Sequence, residues 1–131
     1  MPQADISIAW PIVSPLLAPA IERSEGRISS KSVVQWLLDG RYVLWLAHED
    51  ETVSAALVTR IARYPCKNML TVDLCGGRQL NGWLDEADRV FRAFSRESGL
   101  DGVELYGRTG WARALKRLNW RQSAVLVETD V

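Results

Sequence analysis

Gly76 and Gly77 stand where a strand pattern changes into a helix pattern. Residues 69–74 are an apolar run typical of a buried strand, and residues 80–98 have the period of an amphipathic helix. The first backbone N–H groups of a helix have no partner within it, and they lie at the positive end of its dipole. A turn at the glycine pair therefore predicts an anion site, although such a pair is equally typical of a plain turn.

The composition indicates one globular domain, residues 1–131, and excludes several classes of partner. Sixteen basic and sixteen acidic residues give a formal net charge of zero, so we expect no nucleic-acid partner. No apolar run approaches the roughly 20 residues of a membrane span. Cys66 and Cys75 lack a metal-like spacing and there is one histidine, so we expect no metal site. Two reduced thiols are typical of a cytoplasmic protein.

Periodicity places the elements in the order β-α-α-β-β-β-α-β-α-β. Alternation of Ile6, Ile8 and Trp10 predicts a first strand at residues 5–10, and two helices follow, from Ser14-Pro15 and from Ser29 or Ser30. Strands at 42–47 and 53–64 form a predicted hairpin. A strand at 103–106, a helix at 111–118 and a strand at 120–129 complete the chain. The helix between strands 69–74 and 103–106 forces those strands to be parallel.

This order resembles the GCN5-related N-acetyltransferase (GNAT) superfamily, an α/β (α+β) fold with a mixed sheet of about six strands and four helices. In that family the pyrophosphate of acetyl-CoA lies on the turn before the third helix, at a signature of Gln or Arg, two variable residues, Gly, one variable residue, then Gly or Ala. Here Gln79 and Gly82 match, and Leu84 takes the last small position. The resemblance implies a cofactor-binding set that also includes main-chain groups along the strand and turn: Leu74, Cys75, Gly76, Gly77 and Asn81.

The same resemblance implies a base for the amine and an acid for the departing thiolate. Glu104 and Asp73 are the carboxylates nearest the expected cleft, and each is also typical of a strand carboxylate in a local ion pair. The family's acidic Tyr precedes a Gly-Phe pair by four residues. Asn119-Trp120 replaces that pair here, so the Tyr position falls on Leu115. Tyr106 is the nearest substitute by sequence, or else a sheet aromatic.

Two functions stay open on the sequence alone. One is an acetyl-CoA-dependent N-acetyltransferase that acts on an unknown amine. The other is a catalytically inactive GNAT-fold protein that binds a protein partner or builds a structure. The chain also resembles, in size and general pattern, short members of the superfamily from tailed phages and prophages, which implies a virion or morphogenesis component. Six tryptophans suit an interface as well as a core, so homo-oligomers are an expectation.

Overall fold

A computed structural model of the chain describes residues 3–78, 80–107 and 109–131. Its strands form one mixed sheet in the order β1-β2-β3-β4, with β1, β2 and β3 antiparallel and β4 parallel to β3. The predicted hairpin and the predicted parallel crossover are therefore confirmed. The elements in chain order are α1 (Gln3–Arg23), α2 (Ser30–Leu38), β1 (Val43–Glu49), β2 (Thr52–Arg63), β3 (Asn68–Gly77), α3 (Leu80–Glu97), β4 (Gly102–Leu105) and α4 (Thr109–Leu115), followed by a 3-10 turn (Lys116–Leu118).

Helices cover both faces of the sheet, so the molecule has two apolar layers. On the α1 face, α1 and α2 pack around Val13, Leu17 and Val33. On the α3 face, α3 and α4 pack around Trp83, Phe91 and Leu115. Because each face has its own cluster, side chains of one strand alternate between the two layers. None of the described helices combines the length and apolar composition needed to cross a lipid bilayer.

The predicted N-terminal strand is wrong, because residues 5–10 belong to one long helix, α1. Ile8 is 72% exposed, so the alternation that predicted a strand is accidental. The buried residues instead have helical spacing, at Ile6, Ala9, Val13 and Leu17. The three prolines within α1 are four residues apart and all exposed, at Pro11, Pro15 and Pro19. Each removes a helical hydrogen bond, but the carbonyls left over lie on the side that water reaches.

The predicted final strand at residues 120–129 is also wrong, because residues 120–131 have no regular secondary structure. The described part of the chain therefore has four strands rather than about six. Strand propensity measures how well side chains fit a pleated, partly buried surface, and it does not supply a partner. Trp120 fixes the start of this segment, since its Nε1 donates to Asp88 Oδ1 on α3 at 2.6 Å.

A pair of matched substitutions tests the helix against the strand. On a strand, Ile6 and Ile8 would lie on one face, whereas on α1 only Ile6 is buried. We expect Ile6→Ala to lower the free energy of unfolding by about 2–5 kcal/mol because it leaves a cavity. Ile8→Ala should change it by less than about 0.5 kcal/mol. Urea denaturation of both variants measures this, and equal losses would contradict the helix.

Candidate active site

The parallel strands β3 and β4 separate part-way along their length. Residues 69–72 of β3 pair in register with residues 102–105 of β4, and the last backbone hydrogen bond runs from Tyr106 N to Val72 O at 3.3 Å. Beyond that point β3 continues to Gly77, whereas β4 has ended. No β4 residue is in register with residues 73–77. We call this point, where β3 continues past the end of β4, the fork; the end of β3 lies on one side of it, and Tyr106 and Gly107 follow β4 on the other.

A β-bulge at Asp73 marks the fork. On β2, the consecutive residues Val58 and Thr59 face Leu74 and Val72, so Asp73 is an extra residue in β3. The bulge also reverses the alternation of the strand. Val72 lies in the cluster on the α3 face, and Leu74, two residues later, lies in the cluster on the α1 face. A bulge bends its strand, and this one lies next to the residue where the pairing of β3 with β4 ends.

Asp73 is held in place by two donors. Its Oδ2 accepts from Arg60 Nε at 2.7 Å and from the Tyr42 hydroxyl at 2.9 Å, and its side chain is 10% exposed. Burial and the Asp73 carboxylate raise the pKa of Tyr42. Burial lowers the pKa of Arg60, but the hydrogen bond and charge of Asp73 raise it by more. We call these three side chains the bulge clamp. Asp73 is therefore a strand carboxylate in a local ion pair, which is one of the two alternatives that the sequence left open.

Glu104 lies in a second, more accessible cluster. Its Oε2 accepts from the Thr71 hydroxyl at 2.9 Å and from the Tyr64 hydroxyl at 2.5 Å. The Tyr64 and Tyr106 hydroxyls are 3.4 Å apart, so Tyr106 joins the same group. The hydrogen bonds to Glu104 and Tyr106 raise the pKa of Tyr64, which keeps its hydroxyl protonated. The structure therefore brings together two predicted residues, Glu104 and Tyr106, and adds Tyr64, which the sequence analysis missed.

The bulge clamp and the Glu104 cluster share the α1 face of the sheet. Arg60, Thr71 and Glu104 are directly opposed on β2, β3 and β4, so their side chains form one row across the strands. Thr71 is fully buried in the middle of this row. The sequence does mark Arg60 as unusual, because it is a charged residue within an apolar strand. It does not show that Arg60 lies opposite Thr71, because opposing residues are known only once the strand register is known.

At the N-terminus of α3, the space beside Gly82 is open and the next two side chains point inward. Trp83 and Leu84 are 7% and 5% exposed and point into the α3-face cluster, so they do not crowd the outer side of the turn. The Trp83 indole N–H donates to Arg78 O at 3.0 Å from the inner side. A Cβ added at Gly82 would meet no atom within 4 Å. Gln79, and the side chain of Asn81, lie outside the described residues.

Gly76 and Gly77 are strand residues and not turn residues, because β3 extends through both. They pair with Ala56 and Ala55 of β2. A Cβ at Gly76 would lie 1.9 Å from the carbonyl oxygen of Leu16 on α1. A Cβ at Gly77 would lie 2.5 Å from the Cβ of Ala55 on β2. Both glycines therefore allow close packing of backbones. The turn predicted at Gly76 and Gly77 is therefore wrong, because β3 continues through both residues. The next residue, Arg78, still donates its backbone N–H to Ser54 O at 2.8 Å.

Leu74 and Cys75 lie on β3 beyond the end of its pairing with β4, as a main-chain role beside the fork requires. The Cys75 side chain is buried, and burial raises the pKa of its thiol to about 12. The thiol is therefore packed and protonated rather than nucleophilic. Leu115, at the position of the family's acidic Tyr, is 4% exposed within the α3-face cluster. No acid reaches the fork from that position.

Several solved structures that superpose on the chain are described as acetyltransferases. A possible acetyltransferase from Clostridium difficile 630 superposes with a TM-score of 0.70 at 14% identity, over 100% of this chain and 94% of that one. The fold is that of the GCN5-related N-acetyltransferases. A GCN5-related N-acetyltransferase from Ralstonia eutropha JMP134 superposes with a TM-score of 0.66 at 14% identity, over 99% of this chain and 95% of that one. A predicted acetyltransferase with acetyl-CoA from Clostridium acetobutylicum superposes with a TM-score of 0.66 at 13% identity, over 99% of this chain and 92% of that one.

At the level of sequence, neither a family model nor a curated protein matches the chain. With identities this low, the similarity to the solved structures is a similarity of GNAT fold. Among the described residues, no three His, Cys, Asp or Glu side chains are grouped as metal ligands would be.

Two glycine substitutions test which glycine of this site is required for packing. Gly76→Ala should lower the free energy of unfolding by about 1–3 kcal/mol or more, because α1 must move off β3. Gly82→Ala meets open space within a helix, so it should raise the free energy of unfolding by about 0.5–1 kcal/mol. Thermal and urea denaturation without ligand measure both. A stable Gly76→Ala variant would show that α1 does not pack on β3 here.

Proposed function

We propose that the chain is a divergent member of the GNAT superfamily that binds acetyl-CoA in the fork between β3 and β4. The observation that supports this most directly is the end of strand pairing at Val72 and Tyr106, while β3 continues to Gly77. Backbone groups of Leu74 and Cys75 on that side of β3 have no β4 partner in register. An extended amide chain such as pantetheine carries hydrogen-bond donors and acceptors that can take the place of a partner strand. The similar protein from Clostridium acetobutylicum is described with acetyl-CoA.

The pyrophosphate would lie at the N-terminus of α3. This helix has 18 residues and no acidic residue in its first turn, so its dipole and free N–H groups favour an anion there. Gly82 lets the backbone approach closely, since its side is open. Gln79 and Asn81 belong to the same proposal through the family signature. Gly76 and Gly77 contribute backbone only, since their Cβ positions face α1 and β2.

Glu104 is the better of the two carboxylates for the base of an N-acetyltransferase. It lies on β4 two residues before the fork, whereas Asp73 is occupied by the bulge clamp. In the proposed reaction, an amine nitrogen forms a bond to the acetyl carbon as the carbon–sulfur bond breaks. The amine proton passes to Glu104, and the thiolate takes a proton from Tyr106 or from water. Tyr106 is 61% exposed, and Tyr64 orients both groups through its hydroxyl.

A second candidate function is a GNAT-fold protein that has lost the reaction and acts as a binding or structural protein, for example in a phage virion. The observation in its favour is Leu115, which is buried where the family carries its acid. Both candidates share the fold, and they differ in whether acetyl-CoA binds and whether an amine is acetylated. The experiments below address these two questions separately.

Isothermal titration calorimetry tests the cofactor. We expect acetyl-CoA to bind with a Kd in the range of about 1–100 μM, and Gly82→Trp to weaken it at least about tenfold by filling the phosphate side of the turn. Glu97→Trp is the matched control, because it adds the same indole to an exposed position at the far end of α3. Absence of binding to the unmodified chain at millimolar acetyl-CoA would refute the cofactor and favour the second candidate.

Turnover tests the base. With a panel of peptides, polyamines and amino sugars, CoA release measured by chromatography should fall by about 10²–10⁴-fold in Glu104→Gln. Glu97→Gln, an exposed carboxylate on α3, should leave the rate unchanged. Unaltered acetyl-CoA affinity in Glu104→Gln would confirm that the loss is chemical. Tight binding without turnover of any amine would identify the inactive alternative.

A further inference from the structure

The row of Arg60, Thr71 and Glu104, which we call the polar row, carries opposite charges at its two ends. The three residues are directly opposed on β2, β3 and β4, so two strand spacings of about 4.8 Å separate the Cα atoms of Arg60 and Glu104. No ion pair joins these two side chains within the part of the chain that the structure describes. A cation and an anion therefore share the α1 face without contacting each other, which is the pattern that a zwitterionic ligand requires.

Arg60 uses only part of its guanidinium group in the bulge clamp. Its Nε donates to Asp73 Oδ2 at 2.7 Å, and no hydrogen bond joins its Nη1 or Nη2 to another group of the described chain. A guanidinium carries five N–H donors in a planar fork, so four of them are left. The side chain is 33% exposed, and a ligand can therefore reach it. Planar forks of this kind suit carboxylates in particular.

Glu104 retains one carboxylate oxygen at the other end of the polar row. Both of its donors, the Thr71 and Tyr64 hydroxyls, bond to Oε2, so Oε1 has no hydrogen-bond partner among the described residues. Tyr64 and Tyr106, the latter 61% exposed, add two aromatic side chains beside the carboxylate. A carboxylate together with aromatic rings suits an ammonium group.

Tyr64 connects the two ends of the polar row. Arg60 and Tyr64 are four residues apart, on β2 and directly after it, so they project from the same face of the sheet. Burial lowers the pKa of Arg60, whereas Asp73 and, to a smaller extent, Tyr64 raise it. The Tyr64 hydroxyl also donates to Glu104 at 2.5 Å. Tyr64 is therefore near both charged groups, which places them within reach of one small molecule.

The charges around the polar row favour a ligand that carries an ammonium group. The row and the bulge clamp contain one cation, Arg60, and two carboxylates, Asp73 and Glu104, so their net charge is negative. Lys67 and Asp101, which border the start of β4, add no net charge. A ligand with only negative groups is disfavoured here, whereas a zwitterion neutralises Glu104 and still offers Arg60 a carboxylate.

We propose that the acceptor of the acetyl group is a free amino acid, with its ammonium group on Glu104 and its carboxylate on Arg60. This inference rests on the proposed function, because an acetyl group can be transferred only if the fork holds acetyl-CoA.

The charges of the substrate change during the reaction. The ammonium group gives one proton to Glu104, and the amine nitrogen then bonds to the acetyl carbon as the carbon–sulfur bond breaks. The nitrogen loses a second proton, and the thiolate takes one up, so the products are an N-acetylamino acid, CoA and one released proton. The N-acetylamino acid has no positive charge left for Glu104 to attract, which favours its release.

Matched pairs of acceptors test the substrate class on the unmodified chain. A panel of α-amino acids, β-alanine and γ-aminobutyrate is compared with the primary amides of the same compounds, which keep the amine and lack the carboxylate charge. We expect kcat/KM, measured by CoA release with acetyl-CoA, to be about 10–100-fold higher for the acid than for the amide of the best pair, because the amide loses charged hydrogen bonds to Arg60.

Arg60→Lys tests the residue assignment. Lysine keeps a positive charge beside Asp73 but lacks the planar fork, so we expect the ratio of acid to amide kcat/KM to fall at least about fivefold, with the rate for the amide unchanged. Arg63→Lys is the matched control, because Arg63 is an exposed arginine at the end of the same strand and lies outside the polar row. It should leave the ratio unchanged. If Arg60→Lys does not fold, the acceptor pairs on the unmodified chain decide alone.

The outcomes separate this inference from the proposed function. Acetylation of amides or polyamines as fast as of amino acids overturns the substrate class and leaves an N-acetyltransferase. A ratio that Arg63→Lys lowers as much as Arg60→Lys overturns the assignment to Arg60. If acetyl-CoA does not bind, or if no acceptor of any kind is acetylated, the proposed enzyme is refuted and this inference with it.

Discussion

One extra residue in β3 determines where this sheet comes apart. Asp73 shifts the alternation of the strand, so Leu74 enters the α1-face cluster, whereas Val72 belongs to the opposite one. β4 is short, and its pairing with β3 ends next to the bulge. An extra residue is tolerated inside a sheet only if its polar side chain is satisfied. Arg60 on β2 and Tyr42 at the entry to β1 satisfy the Asp73 side chain, so the bulge clamp stabilises the bulge at the fork.

The two carboxylates that look equivalent in the sequence lie in different environments. Asp73 has a cation and a phenol within 2.9 Å and is mostly buried, so its side chain joins β3 to Arg60 of β2 and to Tyr42, the residue before β1. Within the described chain, Glu104 has two hydroxyl donors and no ion-pair partner, at the accessible end of the same polar row. Hydroxyl donors orient a carboxylate without bringing a positive charge to it. The distinction depends on register, which decides that Arg60 points at Asp73.

Local pattern predicted the part of the fold that local interactions decide. The crossover from β3 through α3 to β4 was predictable, because a strongly periodic helix between two apolar runs leaves few topologies. The first half of the N-terminal helix was not, because the alternation of Ile6, Ile8 and Trp10 imitates a strand, whereas the helix predicted from Ser14-Pro15 coincides with the second half of α1. The final strand failed for a different reason, since Val125 and Val127 have strand propensity but lack a partner strand. The contacts of Tyr64 and Arg60 were missed because they depend on strand pairing. Tyr64 is 40 positions from Glu104, and Arg60 is 13 positions from Asp73.

β4 is the shortest strand of the sheet, with four residues, and β3 is its only partner strand in the described chain. Regions with few backbone bonds open at lower free energy than the global unfolding of the domain. Glu104 lies on this strand, so its position relative to β3 depends on how well β4 is held. The proposed ligand in the fork would add hydrogen bonds near the end of β4, and it would therefore hold Glu104 more firmly against β3.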